Sequence, residues 1–220
     1  SFSFPQDHGP HPEIQTEWWY YTGNLETPEG DPLAYQLTFF RRGLALPGEL
    51  RPSQLAADQI YFAHFAITDV RGGRHPHWER FSRGAGGLAG AAGAPYGVWL
   101  EDWSVSSLDP AGDSVHLFAR EEEWELDLIL ESEKQVVEHG DGGWSPKSEE
   151  AGNASYYLSM TRLRTQWTVT LAGSRVDVAG LSWFDHEWST SALGAQAIGW
   201  DWFSLQMNDG TELMLFQIRR

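Results

Sequence analysis

Between Leu181 and Thr190 the chain reads Leu-Ser-Trp-Phe-Asp-His-Glu-Trp-Ser-Thr, which sets two carboxylates and an imidazole among bulky apolar neighbours. That set suits proton transfer. A carboxyl group removed from water resists ionisation and can hold a proton near neutral pH, and an imidazole titrates in the same range. Asp185, His186 and Glu187 are therefore candidate acid-base residues, and Glu17, ahead of Trp18-Trp19-Tyr20, can orient or accept a proton. In an extended segment Asp185 and Glu187 share one face while Phe184, His186 and Trp188 share the other. Asp185 and His186 then point apart, and a bulge, common next to active sites, would re-aim one of them into the same cavity.

Other chemistries find less support. There is no Cys, so thiolate catalysis, disulfides and Cys-based zinc sites are excluded. No Gly-x-Ser-x-Gly elbow exists, and Ser182 and Ser189 are only sequence neighbours of His186. His8, His11 and Glu13 lie close enough to suggest metal ligands, but the Pro and Gly around them do not fix a geometry, so neither a metal nor a cofactor is expected. The Gly-rich run at 84–87 is followed by no Gly-Lys-Ser/Thr and is no phosphate loop. With 31 acidic against 15 basic residues the net charge is -16, which repels nucleic acid. No apolar run reaches the roughly 18 residues of a membrane span. The chain opens on Ser1 without an initiator Met, which is read as a leader removed and a secreted or periplasmic protein.

Twelve Trp, eleven Phe and seven Tyr imply a wide aromatic-lined interior suited to a small hydrophobic ligand. Its expected lining is Trp18, Tyr20, His64, Phe184, Trp200 and Trp202, although a lone His in the apolar run 60–70 is more often a hydrogen-bonded core residue. Residues 17–25 and 33–41 read as a hairpin across a Pro- and Gly-rich turn, and 60–70 as a further strand. Short strands are expected at 98–105, 114–120, 123–132, 155–163, 166–171 and 175–185. That spacing marks an antiparallel sandwich or barrel. Residues 1–12 form an irregular arm lying across the barrel or closing one end, 53–58 a short helix capped by Ser53, and 71–97 a mobile flap or connector that leaves His75 and His77 in a solvated loop.

The last strands echo the first hairpin: Asp201-Trp202-Phe203 followed by Leu215-Phe216-Gln217-Ile218 repeats Glu17-Trp18-Trp19 followed by Ala34-Tyr35-Gln36-Leu37. A second barrel is expected to begin near Gly199. One hairpin cannot bury a core. Residues 1–198 are then one domain, and 199–220 complete the first barrel, pair with another chain, or await the remainder of a second barrel.

The Asp-His-Gly-Pro-His-Pro-Glu start, Thr16-Glu17-Trp18-Trp19-Tyr20, Gln36-Leu37-Thr38-Phe39-Phe40-Arg41, Phe62-Ala63-His64-Phe65, Ala154-Ser155-Tyr156-Tyr157 and Asp185-His186-Glu187-Trp188-Ser189 resemble the AttH-like and carotenoid 1,2-hydratase superfamily, whose members are often labelled predicted secreted hydrolases. The resemblance implies an all-β, lipocalin-like antiparallel barrel in a tandem two-barrel architecture, the second barrel only begun here. Characterised relatives hydrate an isolated alkene of an acyclic carotenoid, and distant ones are pericyclases. The resemblance also assigns acid-base work to His186 and Trp188. A hydratase or lyase acting on an isoprenoid, polyene or lipid is the expected function, beside a non-catalytic lipocalin-type carrier. An enzyme requires an acid-base group of the motif open to a cavity with a shifted pKa. A structural corner requires all of them tied up by backbone groups.

Overall fold

The computed structural model describes residues 2–44, 58–147, 153–191 and 198–219. The helix expected at 53–58 lies largely outside these residues. Fifteen strands form: β1 Thr16–Glu26, β2 Pro32–Gly43, β3 Gln59–Asp69, β4 His77–Arg83, β5 Ala89–Gly93, β6 Tyr96–Leu100, β7 Trp103–Ser107, β8 Ser114–Glu121, β9 Trp124–Ser132, β10 Val137–Glu138, β11 Trp144–Pro146, β12 Ala154–Leu171, β13 Ser174–Ser191, β14 Gly199–Gln206 and β15 Glu212–Arg219. The first thirteen make one antiparallel sheet in the order β4-β3-β2-β1-β13-β12-β9-β8-β7-β6-β5, with the short β10 and β11 also on β12. Chain-adjacent hairpins are thus joined by β9 on β12, which skips the short β10 and β11, and by the longest-range pairing, β1 on β13. The sheet curls into a nearly closed barrel, and across its open seam Arg80 of β4 stacks on Trp103 at 4.4 Å and bonds Glu121 Oε1 at 2.7 Å.

Alternation of side chains determines what fills the barrel. Odd positions of β1 (Glu17, Trp19, Tyr21, Gly23, Leu25) are buried, even ones half-buried or exposed, and β9 repeats the alternation with Trp124, Leu126, Leu128 and Leu130 inside. Trp19, Leu37, Phe39, Phe65, Trp103 and Leu117 are fully enclosed, so the middle of the barrel is packed rather than hollow. The N-terminal arm closes one end: its single 3-10 turn, Gln6–His8, packs against β5, and Trp19 Nε1 donates to the His8 carbonyl at 2.8 Å.

Three local expectations change. The stretch 71–97 is not a loose flap but holds β4 and β5, because Phe65 stacks on Trp78 and the small residues of β5 admit Trp99 against Gly90. The strand expected at 98–105 breaks into β6 and β7 at a turn where Glu101 has φ 58°. The segments 155–163 and 166–171 fuse into β12, whose irregularities are absorbed by register shifts at 154–156 and 160–163. β14 and β15 form a separate two-stranded sheet seated on the outer face of β12 and β13: Gln206 Nε2 donates to the carbonyls of Thr161 (2.8 Å) and Ser182 (2.9 Å), and Glu212 accepts from Arg162 Nε (2.6 Å) and Lys134 Nζ (2.5 Å).

Candidate functional site

β1 and β13 pair without interruption from Thr16↔Ser189 to Glu26↔Ala179, so no bulge re-aims the motif on this side. Asp185 and Glu187 face outward beneath β14. Phe184, His186 and Trp188 face inward. Residues 182–189 are nonetheless all buried, because the barrel covers one face and the second sheet and β11 cover the other. The candidate residues therefore separate into two clusters.

The inward cluster is a buried hydrogen-bond network, in which, among the described residues, only Arg41 Nη1 and His186 Nδ1 are left unpartnered. Glu17 Oε1 meets His11 Nδ1 at 2.7 Å and His186 Nε2 at 2.9 Å, while Glu17 Oε2 accepts from Arg41 Nε at 2.8 Å and the His11 backbone N–H at 3.0 Å. Arg41 Nη2 also donates to the carbonyls of His11 (2.6 Å) and Ile14 (2.7 Å), which ties the arm to β2. His11 lies flat on Trp188 at 3.9 Å, and its Nε2 faces Asp7 at 3.2 Å. Burial works against the Glu17 charge, but the bonds from His11 and His186 outweigh it and hold the carboxyl well below the usual range. Burial likewise opposes a charge on His11, and Glu17 and Asp7 outweigh it to raise that pKa. On His186 burial prevails and lowers the pKa. His11, Glu17 and His186 each offer one metal-ligating atom within 4.8 Å of the others. Hydrogen bonds already account for the grouping: both imidazoles converge on one carboxylate oxygen, beside a guanidinium that supplies the positive charge a cation would bring. Glu13 is exposed and has no part in it.

The outward cluster opens to a cavity. Asp185 accepts three hydrogen bonds, from Tyr157 Oη at 2.7 Å, Ser159 Oγ at 2.5 Å and Trp183 Nε1 at 2.6 Å. Burial, the largest influence, still pushes its pKa up to about 7, against those donors and with the help of Glu187. Tyr157 in turn accepts from Trp202 Nε1 at 3.1 Å. Glu187 is held by Ser155 Oγ and by Lys147 Nζ at 2.7 Å, and that ammonium sits over the rings of Tyr157 (4.8 Å) and Phe216 (4.5 Å). Two lobes of one cleft meet here. A lobe of about 280 Å³ touches Lys147, Arg42 and Phe216, and one of about 430 Å³ touches Asp185, Tyr20, Thr38 and Phe40; Thr16, Trp18, Tyr157, Glu187, Trp200 and Trp202 line both.

Of the residues expected to line the ligand space, Trp18, Tyr20, Trp200 and Trp202 lie on this cleft. Phe184 does not: it stacks on Tyr21 at 4.4 Å inside the barrel. His64 is neither core nor in the cleft wall; it stands on the outer face of β3, 4.0 Å from Glu79. The cavity lies outside the barrel and not within it, since the interior positions carry the large aromatics. Tyr157, Ser159, Ser155 and Lys147 join the site without an acid-base pattern in the sequence to mark them. The β12–β13 register, Tyr157↔Glu187 and Ser159↔Asp185, brings the β12 side chains to the carboxylates, and the pairing of β11 with β12 brings Lys147.

No curated protein matches the sequence. Among solved structures, an AttH protein from Nitrosomonas europaea is 36% identical with a TM-score of 0.89, and kievitone hydratase from Nectria haematococca is 11% identical with a TM-score of 0.68. Each likeness covers 100% of this chain and 65% of the other, so the chain spans under two thirds of the length of either protein. At 11% identity the second likeness is one of fold, and it makes the barrel lipocalin-like. The AttH-like description matches residues 1–220, from the arm that closes the barrel to the sheet that covers Asp185, and the chain belongs to the AttH-like family.

Proposed function

We propose that the cleft between β13 and β14 binds a small hydrophobic substrate and carries out acid-base chemistry on it, of the hydratase or lyase type. The observation that carries this reading is Asp185: a buried carboxyl on the wall of an aromatic cleft, half-protonated near neutral pH and held by side chains rather than backbone. Hydration of an isolated alkene needs a proton donor, a surface that tolerates a carbocation, and a base for the incoming water. Asp185 supplies the proton to one alkene carbon, and the π electrons form the new C–H bond. The faces of Trp18 and Trp202 stabilise the cation. Glu187, on the same face two residues on, takes a proton from the water that adds to the other carbon. Alkene and water thus become an alcohol, and the cycle closes when Glu187 releases its proton to solvent and Asp185 takes one up. His186 and Glu17 act at one remove, fixing the arm and the inner face of β13.

Kievitone hydratase shares the fold and is by name a hydratase, which supports the reaction class. Incubation with acyclic isoprenoid alkenes in oxygen-labelled water tests it. Labelled alcohol should form, and Asp185→Asn should lower the rate by about 10² to 10⁴-fold with the circular dichroism unchanged. Full activity in that variant removes Asp185 from the chemistry. A carrier without catalysis would instead retain an unaltered apolar ligand through purification, seen by native mass spectrometry. We also propose that β14 and β15 open a second barrel: Phe203, Leu205, Leu213 and Leu215 point away from the first barrel and are exposed, as strands awaiting a partner layer would be.

A further inference from the structure

We propose that the outer face of β1 to β4 carries a track for the elongated apolar body of the ligand whose reacting end lies in the cleft, an inference that rests on the cleft being the ligand site. One row of cross-strand partners runs Glu187↔Trp18, Trp18↔Phe40, Phe40↔Phe62 and Phe62↔Phe81. Directly opposed residues project from the same face of a sheet, so a carboxylate on β13 is followed by one aromatic on each of the next four strands. Phe40 and Phe62 stack at 4.5 Å with their planes 9° apart. Trp18 and Phe40 already line the cleft beside Asp185 and Glu187, so the row continues the cavity. It ends at Phe81 on β4, where 64% of the residue is exposed and, among the described residues, no further strand pairs. Four strand spacings give a track about 19 Å long.

The rows on either side define its width. One side carries Thr16, Arg42, Ile60 and Arg83, and the other Tyr20, Thr38, His64 and Glu79. The aromatic stripe is therefore a single ring wide between largely polar borders. A stable protein interface covers on the order of 800 Å² per partner, and a stripe of this width matches a flat, unbranched chain or a row of fused rings better than a folded partner. His64, tilted against Phe40 at 5.2 Å, becomes part of the track's border.

Two rigid fluorescent rods test this, diphenylhexatriene and the shorter trans-stilbene. The long rod should bind with quenching of Trp emission and lose about tenfold in affinity in the double variant Phe62→Ser, Phe81→Ser, while stilbene, confined to the cleft, changes by less than about twofold. Trp202→Ala should weaken both. Phe81 is exposed, so Phe81→Ser alone folds and should already give part of the long rod's loss. Equal effects on the two rods, or none, overturn the track and leave the cleft standing. Failure of both rods to bind the unaltered protein overturns track and cleft together. A change in sedimentation of the variants without a change in rod binding assigns the stripe to self-association and also overturns the track.

Discussion

Asp185 and Glu17 are both buried acids, and their surroundings drive them in opposite directions. For Asp185 the desolvation cost prevails over three donors, so its pKa in the folded state rises from 3.8 to about 7. A raised acid leaves stability intact below the unfolded pKa and removes it as pH climbs through the folded one. The Asp185 contribution, isolated in urea unfolding from pH 4 to 8 as the difference between the unaltered protein and Asp185→Asn, should therefore fall towards pH 7 by up to about 4 kcal/mol, roughly three units at 1.36 kcal/mol each. The same titration predicts that proton donation by Asp185, and with it turnover, declines above about pH 7. Glu17 has a depressed pKa, so its contribution is present above the unfolded value near 4.5 and is lost as pH falls. His8, whose pKa burial pulls down to about 3, adds a loss in the same direction because it must charge on unfolding. Glu17→Ala leaves Arg41 enclosed without its carboxylate. The expected cost in urea denaturation is about 3 to 5 kcal/mol, and a cost below 1 kcal/mol would show that the network is dispensable.

At the scale of elements, alternation made the barrel legible and also concealed the site. The two-residue period of Trp124 to Leu130 and the aromatic run from Glu17 located walls, and the parity of 181–188 correctly set Asp185 and His186 on opposite faces. The same parity could not tell which face had a cavity, because that depends on what lies on the sheet, and no local pattern fixes where β14 and β15, though next in the chain, come to rest. Small-residue stretches misled for a related reason. Gly90 and its neighbours read as a flexible linker, yet they form β5 because Trp99 needs the space that a side chain would take. Gly180 is the corresponding point on β13: a Cβ there would lie 2.2 Å from the Asn24 carbonyl and 2.8 Å from Leu25 Cα. Since the obstacle is backbone, relief requires β1 and β13 to part. Gly180→Ala should lose about 1 to 3 kcal/mol, and amide exchange should accelerate first at 23–26 and 179–182, near the end of the pairing away from the motif.

For the molecule as a whole, the site exists only because a second sheet sits on the first. The barrel by itself would present Asp185, Tyr157 and Trp183 to water; Trp202, Gln206 and Glu212 bring β14 and β15 down over them. The environment that raises the pKa of Asp185 is thus an interface, and loosening the interface should undo the shift. Glu212 joins β15 to Arg162 on β12 and to Lys134, and Gln206 joins β14 to carbonyls on both β12 and β13. The double variant Gln206→Ala, Glu212→Ala should keep the barrel, since neither residue lies within it, while water enters beneath β14. Two readouts follow. Tryptophan emission should shift to the red as Trp183 and Trp202 hydrate, and the Asp185 carboxyl, followed by carbon NMR, should titrate closer to 3.8 than to 7 as desolvation is relieved. If the emission shifts while the titration stays near 7, the raised pKa belongs to the barrel surface itself and not to the covering sheet. The reaction proposed for this cleft would then need only one of the two layers.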